Sequence, residues 1–239
     1  MSKIKEFFLK LKNRMVEGVF PSNYTCIFCD QDLPDGDICK NCEKKDIFNV
    51  GNKCKICDTV IKEGNLICDH CKSHPKDFEK AYCAVKYNDH TRNSILKFKN
   101  DNARYLAPKF AKIMLDNLIK ENADFDIIVP VPSHTKSIKK RGYNPAKLLA
   151  DEIGKLSNKP VCDVLVKTVH TKNQKYLNFQ QRQTNLENSI TLLDKKAVKG
   201  KKVLIVDDIL TTGATMNACA KLMIKAEKVI VSAFARRNI

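Results

Sequence analysis

No stretch of about eighteen consecutive apolar residues occurs in this chain, so nothing in it reads as a membrane-spanning helix. Residues 1–18 also lack the continuous apolar core of a cleavable signal, which gives the expectation of a cytoplasmic protein. Acidic residues are in short supply: 27 Asp and Glu stand against 43 Lys and Arg, for a net charge of +16. That shortage is local. The balance is +3 over residues 1–25, −2 over 26–80 and +15 over 81–239. An excess of this size in the C-terminal part favours a polyanionic partner there and argues against one at residues 26–80.

What the chain does have is cysteine, eleven in all. A reducing compartment makes disulfides a poor explanation for them. Eight fall into four Cys-x-x-Cys pairs: Cys26/Cys29, Cys39/Cys42, Cys54/Cys57 and Cys68/Cys71. The unit recurs after 28 or 29 residues, the mark of an internal duplication. Two thiolates two residues apart form a knuckle, and two facing knuckles supply tetrahedral coordination for zinc. Two structural Zn²⁺ ions are therefore expected. Sequential pairing is the natural arrangement; a cross-brace of alternate pairs stays open, as does substitution of a thiolate by His70 or His74. Each filled site would add −2 to a module that is already acidic. Such a module reads as a structural clip rather than a phosphate-binding surface. Cys83, Cys162 and Cys219 lie among apolar residues and read as buried thiols.

Residues 2–18 place Ile4, Phe7, Phe8, Leu11 and Met15 on one helical face. This amphipathic helix, residues 1–22, is expected to pack on the protein body, with a peripheral inner-membrane contact as the rival reading. The cysteine module follows over residues 23–75 and an α/β domain over 81–239. In that domain the pattern gives strands near 81–87, 126–131, 161–167, 190–193, 203–206 and 228–234. Helices are expected over 91–98, 106–121, from about 145 to 156, and over 214–224. Alternation of this kind indicates a mainly parallel sheet flanked by helices.

The most informative run is Val203 to Thr215. Four branched apolar residues form a buried strand, Asp207 and Asp208 follow it, and a Thr-Thr-Gly-Ala-Thr turn opens a helix. Carboxylates beside a helix N-terminus suit a ligand that carries hydroxyls next to a phosphate. The run resembles the phosphoribosyl-pyrophosphate (PRPP) motif of the type I phosphoribosyltransferases. That resemblance implies a ribose 2′,3′-diol on Asp207 and Asp208. It implies a 5′-phosphate held by Thr211, Thr212, Gly213, Ala214 and Thr215, with Mg²⁺ accompanying PRPP.

Further stretches narrow the resemblance to the ComF family of competence proteins. They are Phe20-Pro21 leading into the cysteine pairs, Pro130-Val131-Pro132, Arg141-Gly142-Tyr143-Asn144, and Gln174, Leu177, Arg182 with Asn185. Pro145 departs from the family's usual Gln, and lysines stand where arginines are common in the basic loop. The family resemblance implies a zinc-ribbon module joined to a type I phosphoribosyltransferase-like domain that handles incoming single-stranded DNA in natural transformation. It also suggests DNA-translocation or recombination proteins as partners. Lys139, Lys140 and Arg141 are expected at pyrophosphate or at DNA phosphates, and residues 168–182 as a hood over the ligand. Tyr143, Tyr176 and Phe179 are candidates for stacking bases, against a plainer role in packing. The alternative is an active phosphoribosyltransferase using PRPP and Mg²⁺, whose base, amine or nucleic-acid acceptor no stretch of the sequence names.

Overall fold

The computed structural model describes residues 25–167 and 189–238. The N-terminal helix and the hood, with Tyr176, Phe179 and the Gln174–Asn185 motif, lie outside the described residues. The chain divides into two compact units, Met1–Lys45 and Asp46–Ile239. The division falls between the two cysteine groups, so the second group belongs to the unit that carries the sheet.

In the first unit, Cys39 caps the short helix α1 (Lys40–Glu43), its sulfur accepting from the Cys42 N–H. The second unit opens with the same construction: Cys68 caps α2 (Asp69–Ser73) and accepts from the Cys71 N–H. The internal duplication extends to backbone detail. Thr25 bridges Asp32 in the first copy and Lys53 bridges Val60 in the second. The Asp30 N–H donates to the Cys26 carbonyl as that of Asp58 does to Cys54, and both aspartates take a left-handed conformation.

The remainder of the second unit runs β1 (Ala81–Lys86), α3 (Asp89–Asn100), α4 (Leu106–Lys120), β2 (Ile127–Pro130), α5 (Thr135–Arg141), α6 (Pro145–Ser157), β3 (Leu165–Lys167), β4 (Ile190–Leu192), β5 (Lys202–Leu210), α7 (Ala214–Lys221) and β6 (Lys228–Arg236). Four strands form a parallel sheet in the order β1-β6-β5-β2. Successive residues of these strands point to opposite faces. Ile127, Val129, Val203, Ile205, Val231 and Ala233 join one core with Met216, Cys219 and Ala220 of α7. On the other face α4 packs on β1 and β6, and α6 on β2 and β5. Phe110 of α4 stacks on Phe234 of β6 at 3.8 Å between ring centres. Burial on both faces explains why these strands read as unbroken apolar runs.

Several details depart from the sequence pattern. The strand expected over 203–206 continues to Leu210, because the long β6 supplies partners for Asp207, Ile209 and Leu210. The two acids therefore lie within the strand's last turns rather than beyond it. Val161 makes only an isolated parallel bridge to Ile128, while Leu165–Lys167 pairs antiparallel with β4 in a separate two-stranded sheet. Residues 135–141, expected as loop, form α5. No apolar periodicity announces it; His134 caps it at one end and left-handed Gly142 closes it at the other. Among the described residues no helix is long and apolar enough to cross a membrane.

Gly154 shows how closely α6 approaches its neighbours. A Cβ there would sit 2.6 Å from Val161 Cγ2 and 3.0 Å from the Lys159 carbonyl oxygen. Ala is the better helix former by about 1 kcal/mol, but overpacking costs about 1–3 kcal/mol. Gly154→Ala should therefore lower the stability of the α/β body by roughly 1 kcal/mol. Denaturant unfolding reads the sign, and a stabilised variant would show that Val161 yields without cost.

Candidate functional site

In a parallel sheet every strand delivers its carboxyl end to the same edge. Here that edge gathers Asp207 and Asp208 late in β5, Tyr87 after β1, Val131 and Pro132 after β2, and Arg237 after β6. They line a cavity of about 420 Å³ together with Lys99, Ser133, His134, Ser137, Arg141, Asn144, Thr211 and Thr215. Of the residues expected at a ribose phosphate, Asp207, Asp208, Thr211 and Thr215 reach the cavity wall, and Arg141 lines the same cavity. Lys139 and Lys140 lie on the exposed part of the same helix.

The two acids are not equivalent. Asp208 is buried and faces Lys99, with its carboxylate oxygens 3.1 and 3.3 Å from Nζ. Asp207 accepts the Asp208 N–H at 2.8 Å on Oδ1. Desolvation first, and then the neighbouring Asp208 charge, push the Asp207 carboxyl up to about 8. At neutral pH the Asp207 carboxyl is thus largely protonated.

The loop between β5 and α7 is held from behind. Arg236, buried, donates from Nη1 to the carbonyls of Leu210 at 2.9 Å and Thr211 at 2.5 Å. The His70 Nε2 lies 3.3 Å from the Thr212 carbonyl, which assigns it the proton-bearing nitrogen in that contact. Gly213 takes φ +78° as the residue before α7, a conformation costly for any residue with a Cβ. The first N–H groups of α7 have no intrahelical partners, which suits an anion at this end.

The Arg141-Gly142-Tyr143-Asn144 stretch has a structural reason at each position. Arg141 faces the cavity, and Gly142 closes α5. Tyr143 is buried, donates its hydroxyl to the Phe98 carbonyl and carries Arg104 over its ring at 4.7 Å. Packing, not base stacking, is therefore the role of Tyr143. Asn144 ties three segments together: its Nδ2 donates to the Val131 carbonyl, while its Oδ1 accepts from Ser133 Oγ and from the Ala146 N–H.

Each cysteine quartet closes sequentially, which settles the pairing the sequence left open. Sγ atoms of Cys26, Cys29, Cys39 and Cys42 lie within 4.8 Å of one another, as do those of Cys54, Cys57, Cys68 and Cys71. The Cys29–Cys39 and Cys57–Cys68 sulfur separations are 3.7 and 3.6 Å. A tetrahedral ion with metal–sulfur bonds of about 2.3 Å needs sulfurs about 3.8 Å apart, so the donor sets fit. N–H donors already point at the sulfurs, from Cys39 to Cys26 at 3.4 Å and from Cys68 to Cys54 at 3.3 Å. His70 and His74 stack on each other at 4.7 Å and complete neither quartet.

Sequence reasoning did not single out Lys99, Tyr87, Arg236 or Arg237. Lys99 sits in a polar helix with no motif, and Arg237 reaches the site only because β6 lies beside β5. The one signal for the arginines was a basic pair directly after the last strand.

A family of phosphoribosyl transferase domains matches residues 105–238. Competence protein F of Haemophilus influenzae is 27% identical over 225 residues, covering 90% of this chain and 97% of that protein. Competence protein ComFC of Bacillus subtilis is 23% identical over 230 residues, covering 87% and 92%. Among solved structures, an adenine phosphoribosyltransferase aligns over 60% of this chain and 84% of its own with a TM-score of 0.37 and 17% identity. Over most of its length the chain is homologous to the ComF and ComFC competence proteins, and through residues 105–238 it belongs to the phosphoribosyl transferase domain family.

Proposed function

We propose that the cavity at the carboxyl edge of the sheet binds a phosphorylated ribose, PRPP or ribose 5-phosphate, in a protein that handles single-stranded DNA. The carrying observation is the convergence of Asp207, Asp208, Thr211 and Thr215 with Lys99, Arg141 and Arg237 around one cavity. Asp208, held by Lys99, accepts a ribose hydroxyl, and Asp207 takes the second. The loop of Thr211 to Thr215 takes the 5′-phosphate on its N–H and hydroxyl groups. Arg141 supplies charge toward a pyrophosphate. Mg²⁺ accompanying PRPP would share the negative charge between the pyrophosphate and the acids. Two Zn²⁺ ions, one per quartet, fold segments too small to hold a core of their own.

DNA handling is supported by the relationship to proteins named for competence, by the similarity to the Escherichia coli DNA utilization protein YhgH, 24% identical over 178 residues, and by the +15 balance beyond residue 80. The exposure of Lys139 and Lys140 on α5, beside the cavity residue Arg141, supports phosphate contacts along a strand. Transfer of the ribosyl group to an acceptor is the second reading, favoured by the family of residues 105–238. In it the same arginine stabilises the leaving pyrophosphate while the loop keeps hold of the 5′-phosphate.

One matrix of measurements separates these readings. Asp207→Asn with Asp208→Asn should abolish PRPP–Mg²⁺ binding and any pyrophosphate release. Oligonucleotide affinity should fall with salt at a log–log slope of about −0.7 per phosphate contact. Lys139→Ala with Lys140→Ala should lower that slope by about 1 while PRPP binding is kept. Salt-independent oligonucleotide binding would remove the DNA reading. PRPP binding that survives the loss of both acids would remove the sugar-phosphate one.

A further inference from the structure

The second cysteine quartet is joined to the phosphate loop at three points, all within the unit that carries the sheet. The guanidinium of Arg236 spans the two: Nη2 lies 3.6 Å from Cys57 Sγ, while Nη1 holds the carbonyls of Leu210 and Thr211 and that of Arg237 at 2.7 Å. His70, between the ligand positions Cys68 and Cys71 on α2, meets the Thr212 carbonyl. Just beyond α2, Asp77 exchanges two hydrogen bonds with Asn217 of α7: its N–H donates to Oδ1 at 2.7 Å, and Asn217 Nδ2 donates to its Oδ2 at 2.8 Å. The loop and the first turns of α7 are thus gripped from the cysteine segment, and the end of β5 through Arg236 of β6, which reaches Cys57.

Arg236 is 3% exposed and, among the described residues, makes no ion pair with a carboxylate. A buried cation with no anion is costly. Four thiolates around a divalent ion carry a net charge of −2, and that charge would be the partner the guanidinium otherwise lacks. From these contacts we infer that the second quartet, when metal-loaded, sets the geometry of the 211–215 loop, with Arg236 and His70 as positioning residues for sugar-phosphate binding. This inference rests on the sugar-phosphate reading above. A metal ion ordinarily assigned to folding then also governs affinity at a site on the sheet edge. By linkage the coupling is reciprocal, so ligand in the cavity must strengthen retention of the metal.

The test uses the full zinc-loaded protein, ribose 5-phosphate as probe, and zinc release to a colorimetric chelator. Two zinc equivalents are expected. At equilibrium with the competing chelator, saturating ribose 5-phosphate should raise the affinity for one by on the order of tenfold and leave the other unchanged. Arg236→Lys keeps the charge but loses the fork that spans sulfur and carbonyls. Partly exposed His70→Ala is the milder change, and a retained melting transition certifies its fold. Both should weaken ribose 5-phosphate binding about fivefold or more and erase the protection of zinc. His70→Gln, which keeps a donor, should restore part of each. If wild type binds ribose 5-phosphate but both zinc equivalents are held with ligand-independent affinity, the coupling is overturned and the sugar-phosphate site stands. If wild type fails to bind the probe, the sugar-phosphate reading falls and takes this inference with it.

Discussion

Asp207→Asn should make the protein more stable at pH 8 while weakening its hold on a phosphorylated ribose. The carboxyl is raised to about 8 in the folded protein against an ordinary value of 3.8, chiefly by desolvation and then by the Asp208 charge. Between those values the unfolded chain has released a proton that the folded chain still holds. Stability therefore falls as pH rises through this window. Asn cannot ionise, and its Oδ1 can still accept the Asp208 N–H. The gain should be near zero below about pH 4 and grow steadily up to pH 8, with the difference in melting temperature rising in step. Thermal melts of wild type and variant at pH 4, 6 and 8 read the trend. A gain that is flat with pH, or a loss at pH 8, would sink the assignment of the raised carboxyl to Asp207. A residue that costs stability and lines a cavity is best explained by what it binds.

The second large effect concerns Asp58, which marks where the two copies of the cysteine unit part company. Asp58 is buried, accepts the Cys83 N–H of β1 at 2.7 Å and the Asn49 amide at 3.0 Å, and pairs with Lys53 at 3.0 Å. Asp58→Ala strands the buried Cys83 N–H, leaves Lys53 with Glu121 alone and Asn49 with only the backbone carbonyl of residue 58, and places Ala in a left-handed conformation at φ 61°. The loss should be about 3 kcal/mol or more. Asp58→Asn retains the acceptor and tolerates the backbone, so about 1 kcal/mol is expected. Asp30, the corresponding and exposed position of the first copy, should cost about 1 kcal/mol on change to Ala, because its side chain is not buried. Denaturant unfolding of the α/β body measures all three. Equal losses for Asp58→Ala and Asp30→Ala would mean that the clasp to β1 contributes nothing.

Much of the site was legible because its residue types are dictated one at a time. Asp207 and Asp208, the Thr-Thr-Gly-Ala-Thr turn and the eight paired cysteines each answer a local demand of geometry or ligation. The illegible part depends on distant partners. The strand carrying the acids runs to Leu210 because β6 is long enough to pair with it, and nothing in residues 207–210 says so. Helix α5 exists through its caps, without an apolar face to reveal it. Lys99 and Arg237 acquire a role only from the order of the strands. Sequential closure of the quartets could not be read from spacings that a cross-brace would satisfy equally. Likewise, no composition shift announces that the second quartet is built into the sheet-bearing unit, since the connection is made by scattered residues such as Asp58, His70, Asp77 and Arg236.

The strand order has a consequence for how the molecule comes into being. β6, the last strand of this sheet to be synthesised, lies between β1 and β5. Until it leaves the ribosome, the earliest strand of the sheet has no neighbour in it, and the acids at the end of β5, beyond the reach of β2, have no partner strand. Arg236, which grips the loop, is the final residue of that strand. Nascent chain therefore waits with an open sheet edge, the state most prone to wrong pairings. The binding loop, the second cysteine quartet and the sheet all reach their final geometry in one late step.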